Sequence, residues 1–255
     1  MIYKLTDGRK AAHLFDGWNE TLVWSCLQNV MGTIYADDPE NPNAAMAILG
    51  DFTFFAGKLN AELVLFMPDW CCQDFMIMVP QNKDWEQIIE QCYREKAHRS
   101  LRYAIKKEQG IFDREKLQEA VKALPVGYHL QLIDAPLYHW CKEHEWSKDL
   151  VSQYNSYEMY EQLGLGVMAL KDGIPVSGAS SYSSYQGGIE IEIDTQETHR
   201  RKGLAYACGA RLLLECLERG LYPSWDAQNL WSAALAEKLG YHYDHEYVVY
   251  EIWGY

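Results

Sequence analysis

Two groups of charged side chains lie close together in this chain and are placed to do chemistry. Glu190, Glu192 and Asp194 alternate with Ile189, Ile191 and Ile193, and a basic run follows at His199, Arg200, Arg201 and Lys202. Alternation with a period of two predicts a strand with one apolar and one acidic face, so the three carboxylates share a side. A carboxylate held in that way can serve as a general base, and its charge draws in a cationic partner. Gly203 then opens a Leu- and Ala-rich helix that runs to Arg219, with Gly220 at the C-cap position. A helix N-terminus carries partial positive charge, so three permanent cations beside it repel the dipole. An anion among them removes the conflict: turn and helix N–H groups form a phosphate cradle, and Gly203 and Ala205 allow close approach. The turn therefore reads as a phosphate or pyrophosphate site, and on the turn alone a solvated basic loop stands beside that reading.

The elements that must position these groups follow from pattern and punctuation. The chain has 255 residues, 48% of them hydrophobic, which is enough for a full core in one or two domains. A formal net charge of −13 disfavours a general nucleic-acid or anionic-membrane binder and suits cationic small molecules. No stretch has the apolar length of a signal peptide core or a membrane span, so a cytoplasmic protein is the simplest expectation. The seven cysteines include the adjacent Cys71 and Cys72 but no CxxC pair, and they read as reduced core thiols. His242-x-x-His245 and His139-x4-His144 lack a third ligand nearby, so no metal is assigned.

In the first half, Ala11–Met31 reads as helix and DDPENPN at Asp37–Asn43 as a loop. Ala47–Phe55, Leu63–Met67 and Phe75–Val79 read as strands, and Asp84 as the cap of a helix over Trp85–Arg94. Ser100–Lys107 reads as a strand and Asp113 as the cap of a helix through Ala123. The Leu124–Gly127 turn is the expected boundary between an N-terminal α/β domain of unassigned role (1–125) and a C-terminal domain (126–255). After it come a strand at Tyr128–Ile133, short helices at Pro136–Glu143 and Lys148–Tyr154, and strands at Gly166–Lys171 and Val176–Tyr182 joined by the Asp172-Gly173 hairpin turn. Beyond the long helix, Tyr222–Asp226 and Tyr247–Trp253 read as strands, and Leu230–Leu239 as a helix capped by Asn229 or Asp226.

The C-terminal half resembles the GNAT superfamily of acyl-CoA-dependent N-acyltransferases. Arg200-x-x-Gly203-x-Ala205 matches that family's [Q/R]-x-x-G-x-[G/A] signature, and Asn229-x-x-Ser232-x-x-Leu235 with Lys238-Leu239-Gly240-Tyr241 is similar to its second motif. The similarity covers about Tyr128–Tyr255, and the IDT-x4-RRKGLA wording looks like the branch typified by zwittermicin A resistance acetyltransferases. It implies a mixed twisted α/β sheet flanked by helices, preceded by a smaller α/β domain. It further implies acetyl-CoA lying along the fourth strand, its pantetheine beside Ile193, Asp194 and Thr195. The pyrophosphate would rest on the N–H groups of Arg201, Lys202, Gly203, Leu204 and Ala205, with Arg200 alongside. Asn229 and Ser232 would meet the pantetheine or thiol end, although Asn229 serves equally as a helix cap.

Under that resemblance the chain is an N-acetyltransferase moving acetyl to a primary amine of a small, cationic acceptor in a ternary complex. Glu192 is the favoured base, with Glu190 and Asp194 as the other candidates, and a backbone N–H near Asp194 or Thr195 meets the developing oxyanion. The position where the family often carries an acidic Tyr is Ala236, so either Tyr241 or Tyr243 substitutes or the thiolate leaves without acid assistance. That departure keeps a non-catalytic acyl-CoA sensor open as the rival. Tyr154, Tyr157, Tyr160, Tyr182, Tyr185 and Trp225 are candidates for an aromatic acceptor wall, and a homodimer is possible.

Overall fold

Alternating strands, helix caps and positive-φ turn residues account for most elements of the computed structural model, which describes residues 1–71 and 74–254; Cys72 lies outside them. In chain order the strands are β1 (Tyr3–Lys4), β2 (Thr33–Ala36), β3 (Ala44–Leu49), β4 (Phe52–Gly57), β5 (Phe75–Pro80), β6 (Ala97–Ile105), β7 (Tyr128–Leu132), β8 (Gly166–Lys171), β9 (Ile174–Tyr185), β10 (Gly188–Thr195), β11 (Tyr222–Ser224), β12 (Asp226–Ala227) and β13 (Tyr243–Trp253). The helices are α1 (Thr21–Leu27), α2 (Ala61–Val64), α3 (Lys83–Tyr93), α4 (Arg114–Lys122), α5 (Ala135–Glu143), α6 (Tyr157–Leu163), α7 (Leu204–Glu218) and α8 (Leu230–Leu239). The fold is mixed α/β, with helices flanking mixed sheets.

The chain forms two compact units, Met1–Arg102 together with the chain from Glu246 onward, and Tyr103–His245. The expected boundary at Leu124–Gly127 falls inside the second unit. Leu117 and Ala120 of α4 share a core with Leu212 and Leu213 of α7, so the helix before that turn belongs with the elements after it. Burial of apolar side chains, rather than the Pro-Gly punctuation, decides the division.

In the first unit the strands run β1-β2-β3-β4-β5-β13, antiparallel except for the parallel β4–β5 pair. Every residue of β3 is buried, because the sheet is covered on both faces. Trp85 of α3 stacks on Phe55 at 5.5 Å, while Trp18 meets the neighbouring Phe54 edge-on at 5.6 Å. Four expectations are corrected here. Ala47–Phe55 is a hairpin, β3 and β4, turned at Gly50 with φ 61°. Leu63–Met67 is not a strand: Asn60 accepts from the Leu63 N–H and caps the short helix α2, burying Leu63 and Val64. The helix expected over Ala11–Met31 is a 3-10 turn at Gly8–Phe15 followed by α1. Asn82 rather than Asp84 caps α3.

The second unit holds a five-stranded sheet ordered β11-β10-β9-β8-β7, in which only β10–β11 is parallel. Ile189 and Ile191 of β10 pack with Cys208, Leu212 and Leu213 of α7 in one apolar core. Gly209 is what lets α7 approach: a Cβ there would sit 2.9 Å from Leu239 Cδ1 and 3.3 Å from Ile193 Cδ1. On the opposite side Tyr154 and Tyr160 send their hydroxyls to serines of β9, Ser181 at 2.7 Å and Ser180 at 2.8 Å. The helix α6 has no counterpart in the sequence reading, and Lys148–Tyr154 contributes only a 3-10 turn at Lys148–Leu150. Burial pushes the thiols of Cys26, Cys141, Cys208 and Cys216 up to about 12, so they are inert core groups. Among the described residues no helix is long and apolar enough to cross a membrane.

Candidate functional site

The site is built where two strands part. β10 pairs with β11 through three positions only, Gly188 with Tyr222, Ile189 with Pro223 and Glu190 with Ser224. The chain then leaves β11, and Asp226 and Ala227 pair with Ala104 and Tyr103 of β6 instead. Among the described residues no strand pairs with that side of Ile191–Thr195, while the other side stays in register with β9. An edge of main-chain donors and acceptors is therefore left without a strand partner among the described residues, and an extended amide-bearing ligand can add there as a strand would.

The three acidic residues lie along this strand in different settings. Glu190, 5% exposed, sits on the last rung between Ser183 and Ser224, both fully buried. The hydroxyl oxygens of Ser183 and Ser224 have no hydrogen-bond partner among the described residues. Glu192 is half-buried and is the first carboxylate past the parting of the strands, opposite Ser180 of β9. Asp194 is also half-buried, and burial raises its pKa, an effect that the Thr195 N–H and the Arg200 charge oppose. The Thr195 N–H donates to the Asp194 carboxylate at 2.6 Å. That bond removes Thr195 from the candidate oxyanion donors, because a single N–H cannot serve both acceptors well.

At the C-terminal end of β10 the chain turns through a 3-10 segment, Glu197–His199, into α7. Arg200 donates through Nε to the Thr195 carbonyl at 3.2 Å and so ties the turn to the strand. Arg201 and Gly203 both have positive φ, 61° and 79°. Gly203 occupies the N-cap of α7, where no side chain caps the helix and no acidic residue stands in the first turn. The first N–H groups of a long helix are thus left without a side-chain acceptor beside Arg200, Arg201 and Lys202, all exposed. This arrangement fits a pyrophosphate. Leu204 faces the core and is buried, so its contribution and that of Ala205 is confined to the main chain.

The residues of the second motif have structural partners. Asn229, an exposed residue, caps α8 by accepting from the Ser232 N–H at 3.0 Å, a bond that uses only its amide oxygen. The Ser232 hydroxyl accepts from the Trp225 indole at 3.0 Å. Tyr241 is 2% exposed, donates its hydroxyl to the Pro223 carbonyl at 2.5 Å, and has its pKa pushed well up by burial. A phenol so enclosed and engaged does not reach a departing thiolate, and the general-acid expectation for Tyr241 is corrected on that ground. Ala236 is fully buried in the core. Of the six aromatic residues expected to wall an acceptor pocket, Tyr154, Tyr160, Tyr182, Tyr185 and Trp225 are buried and only Tyr157 is half-buried; they are packing. The parting of β10 from β11 and the engagement of the Thr195 N–H left no signal in residue spacing, because both depend on where the chain goes after Ser224.

Comparison with known proteins gives the family and the fold. A family model described as GNAT acetyltransferase matches residues 12–250, spanning both units rather than the C-terminal half alone. The crystal structure of a GCN5-related N-acetyltransferase-like protein from Streptococcus suis 89/1591 is 46% identical, covers 96% of this chain and 98% of its own, and superposes with a TM-score of 0.90. A Bacillus subtilis (strain 168) protein named uncharacterized N-acetyltransferase YdfB is 27% identical over 245 residues, 92% of this chain and 91% of its own. A GCN5-related N-acetyltransferase from Kribbella flavida, 16% identical over 98% of this chain and 96% of its own, shares the fold with a TM-score of 0.53.

Proposed function

The chain belongs to the GNAT acetyltransferase family and is an acetyltransferase, and from that premise we propose that it moves acetyl from acetyl-CoA to a primary amine of a small, cationic acceptor by direct attack within a ternary complex. The observation that carries the reading is the parting of β10 and β11 immediately after Glu190 and Ser224, with Glu192 on the open segment. Acetyl-CoA supplies an activated acyl carbon when bound. Its pantetheine is assigned to the free edge of Ile193–Thr195 and its pyrophosphate to the N–H groups of Arg201–Ala205, with the amide nitrogen of Asn229 turned toward the pantetheine.

An amine attacks only when unprotonated, so Glu192 first takes a proton from the ammonium form; the freed nitrogen forms the C–N bond as the C–S bond breaks, and the extra proton on the acylated nitrogen passes to the departing thiolate or to water. Glu190 and Asp194 flank it on the same face and add negative potential that favours a cationic acceptor. No acid need protonate the leaving group: a thiol has a pKa of about 8.5 and departs as the thiolate, which agrees with the buried Ala236 and the enclosed Tyr241. The IDT-x4-RRKGLA wording supports an affiliation with the zwittermicin A resistance-like branch, and hence an amine-bearing antibiotic or metabolite as acceptor. The test is calorimetry with acetyl-CoA followed by an amine panel read by release of free CoA thiol. Micromolar binding and turnover with a polyamine or aminoglycoside-like amine are expected. No binding at millimolar acetyl-CoA overturns the donor assignment, and binding without turnover across the panel overturns the acceptor class.

A further inference from the structure

A second basic cluster adjoins the turn at the end of the sheet. The imidazole of His199 reaches to β7, where Nδ1 lies 3.0 Å from the Tyr128 hydroxyl and the two rings meet edge-on at 5.9 Å. Lys171, the last residue of β8, is the register partner of Tyr128 and holds its ammonium 5.6 Å from the centre of that ring. Lys202 is drawn back over the same turn by a 2.9 Å bond to the Thr198 carbonyl. Burial and the charges of Lys202 and Lys171 together hold the His199 pKa below its ordinary value. Among the described residues no carboxylate forms an ion pair with Lys171, Arg201 or Lys202, in a chain of net charge −13. In the tautomer in which the Tyr128 hydroxyl donates to Nδ1, the ring hydrogen sits on Nε2, which has no partner among the described residues and can donate to an anion.

Like charges gathered with no acid between them cost free energy unless a multivalent anion joins them. The α7 N-terminus on the same turn accounts for one such anion, the pyrophosphate, and the Tyr128–Lys171–His199 group lies to one side of it. CoA carries a further phosphate on the 3′ position of the ribose next to its pyrophosphate, so a donor seated on Gly203 brings a second anion within one sugar of the first. We propose that Lys171, His199 and Lys202 form the subsite for the 3′-phosphate of the CoA donor, with Tyr128 fixing the imidazole. The proposal rests on the acyl-CoA reading above and adds to it a cofactor-discriminating function for the side chains of Lys171 and His199, which lie outside the Arg201–Ala205 turn, and for the ammonium of Lys202 within it.

Calorimetry with CoA and with 3′-dephospho-CoA at one fixed salt concentration tests it. The unaltered protein should prefer CoA by about tenfold, the scale of one charge-assisted contact at a partly exposed site. Lys171→Gln and His199→Gln should remove most of that preference while leaving affinity for 3′-dephospho-CoA unchanged, which also shows that the variants are folded. Equal affinity of the unaltered protein for the two ligands overturns the subsite, as do variants that weaken both alike. Failure of either ligand to bind the unaltered protein overturns the acyl-CoA reading itself, a result distinct from equal binding.

Discussion

Glu190 and Ser224 are the last register partners between β10 and β11, and beyond them the two strands separate. The rung continues to Ser183 on β9, so a buried carboxylate is flanked by two buried serines whose hydroxyl oxygens are unpartnered among the described residues. Glu192 and Asp194 are the next carboxylates along β10, on the segment that β11 no longer pairs.

A buried hydroxyl without a partner carries a desolvation cost of about 1–3 kcal/mol, so removing it should not destabilise the protein. Ser224→Ala is therefore expected to leave the melting temperature unchanged or raise it. A loss of more than a few degrees would mean that the hydroxyl is bonded in solution.

Replacing Glu192 by Gln should lower kcat by about 10²- to 10⁴-fold, the usual worth of a positioned base, and leave the Kd for acetyl-CoA unaltered. Partial recovery is expected at high pH, where the amine deprotonates unaided. An unchanged pH–rate profile would assign the base elsewhere, with Asp194 the next candidate.

Asn229 separates into two roles by substitution. Asn229→Ala loses the α8 cap and should cost about 1 kcal/mol of stability. Asn229→Asp keeps an acceptor for the Ser232 N–H and should hold stability while raising the KM for acetyl-CoA. If KM is unmoved in a stable Asn229→Asp protein, the amide does not touch the donor.

The Asp194 carboxyl is harder to ionise in the folded chain than in the unfolded one, chiefly through burial. The folded state then binds the proton more tightly, so this group's contribution to stability falls as pH rises from the unfolded pKa, near 3.9, through the raised folded value. Asp194→Asn retains an acceptor for the Thr195 N–H and should raise the melting temperature at pH 7, with the gain vanishing below about pH 4. A gain that persists in acid would point to another cause.

Tyr241→Phe deletes the bond to the Pro223 carbonyl within the core and should cost about 1–3 kcal/mol in chemical denaturation. The kcat of the folded variant is expected to match that of the unaltered protein. A large fall in kcat would restore Tyr241 as the acid.

Residue order alone determined the local part of this protein. The Ile/Glu alternation of β10, the positive-φ glycine at the head of α7, the Asp172-Gly173 hairpin and the caps at Asp113 and Asn229 are consequences of strand period, backbone freedom and orphan N–H groups, all of which act within a few residues. The reading of the basic turn as an anion site rests on the same local rules. Tertiary structure decided what the neighbours are. That Leu63 lies in a helix follows from burial beneath the first sheet, and that α4 belongs with α7 follows from a shared core. Tyr241 is enclosed because Phe112 and Trp225 pack on it, and His199, just past β10, meets Tyr128 of β7 although β8 and β9 lie between those two strands in the sheet. The carboxylates acquire different settings only because β11 leaves β10 after Ser224, a choice made by pairing with β6 far away in sequence. Periodicity reports which face a side chain takes; only the packed sheet determines whether that face meets core, solvent or a cleft.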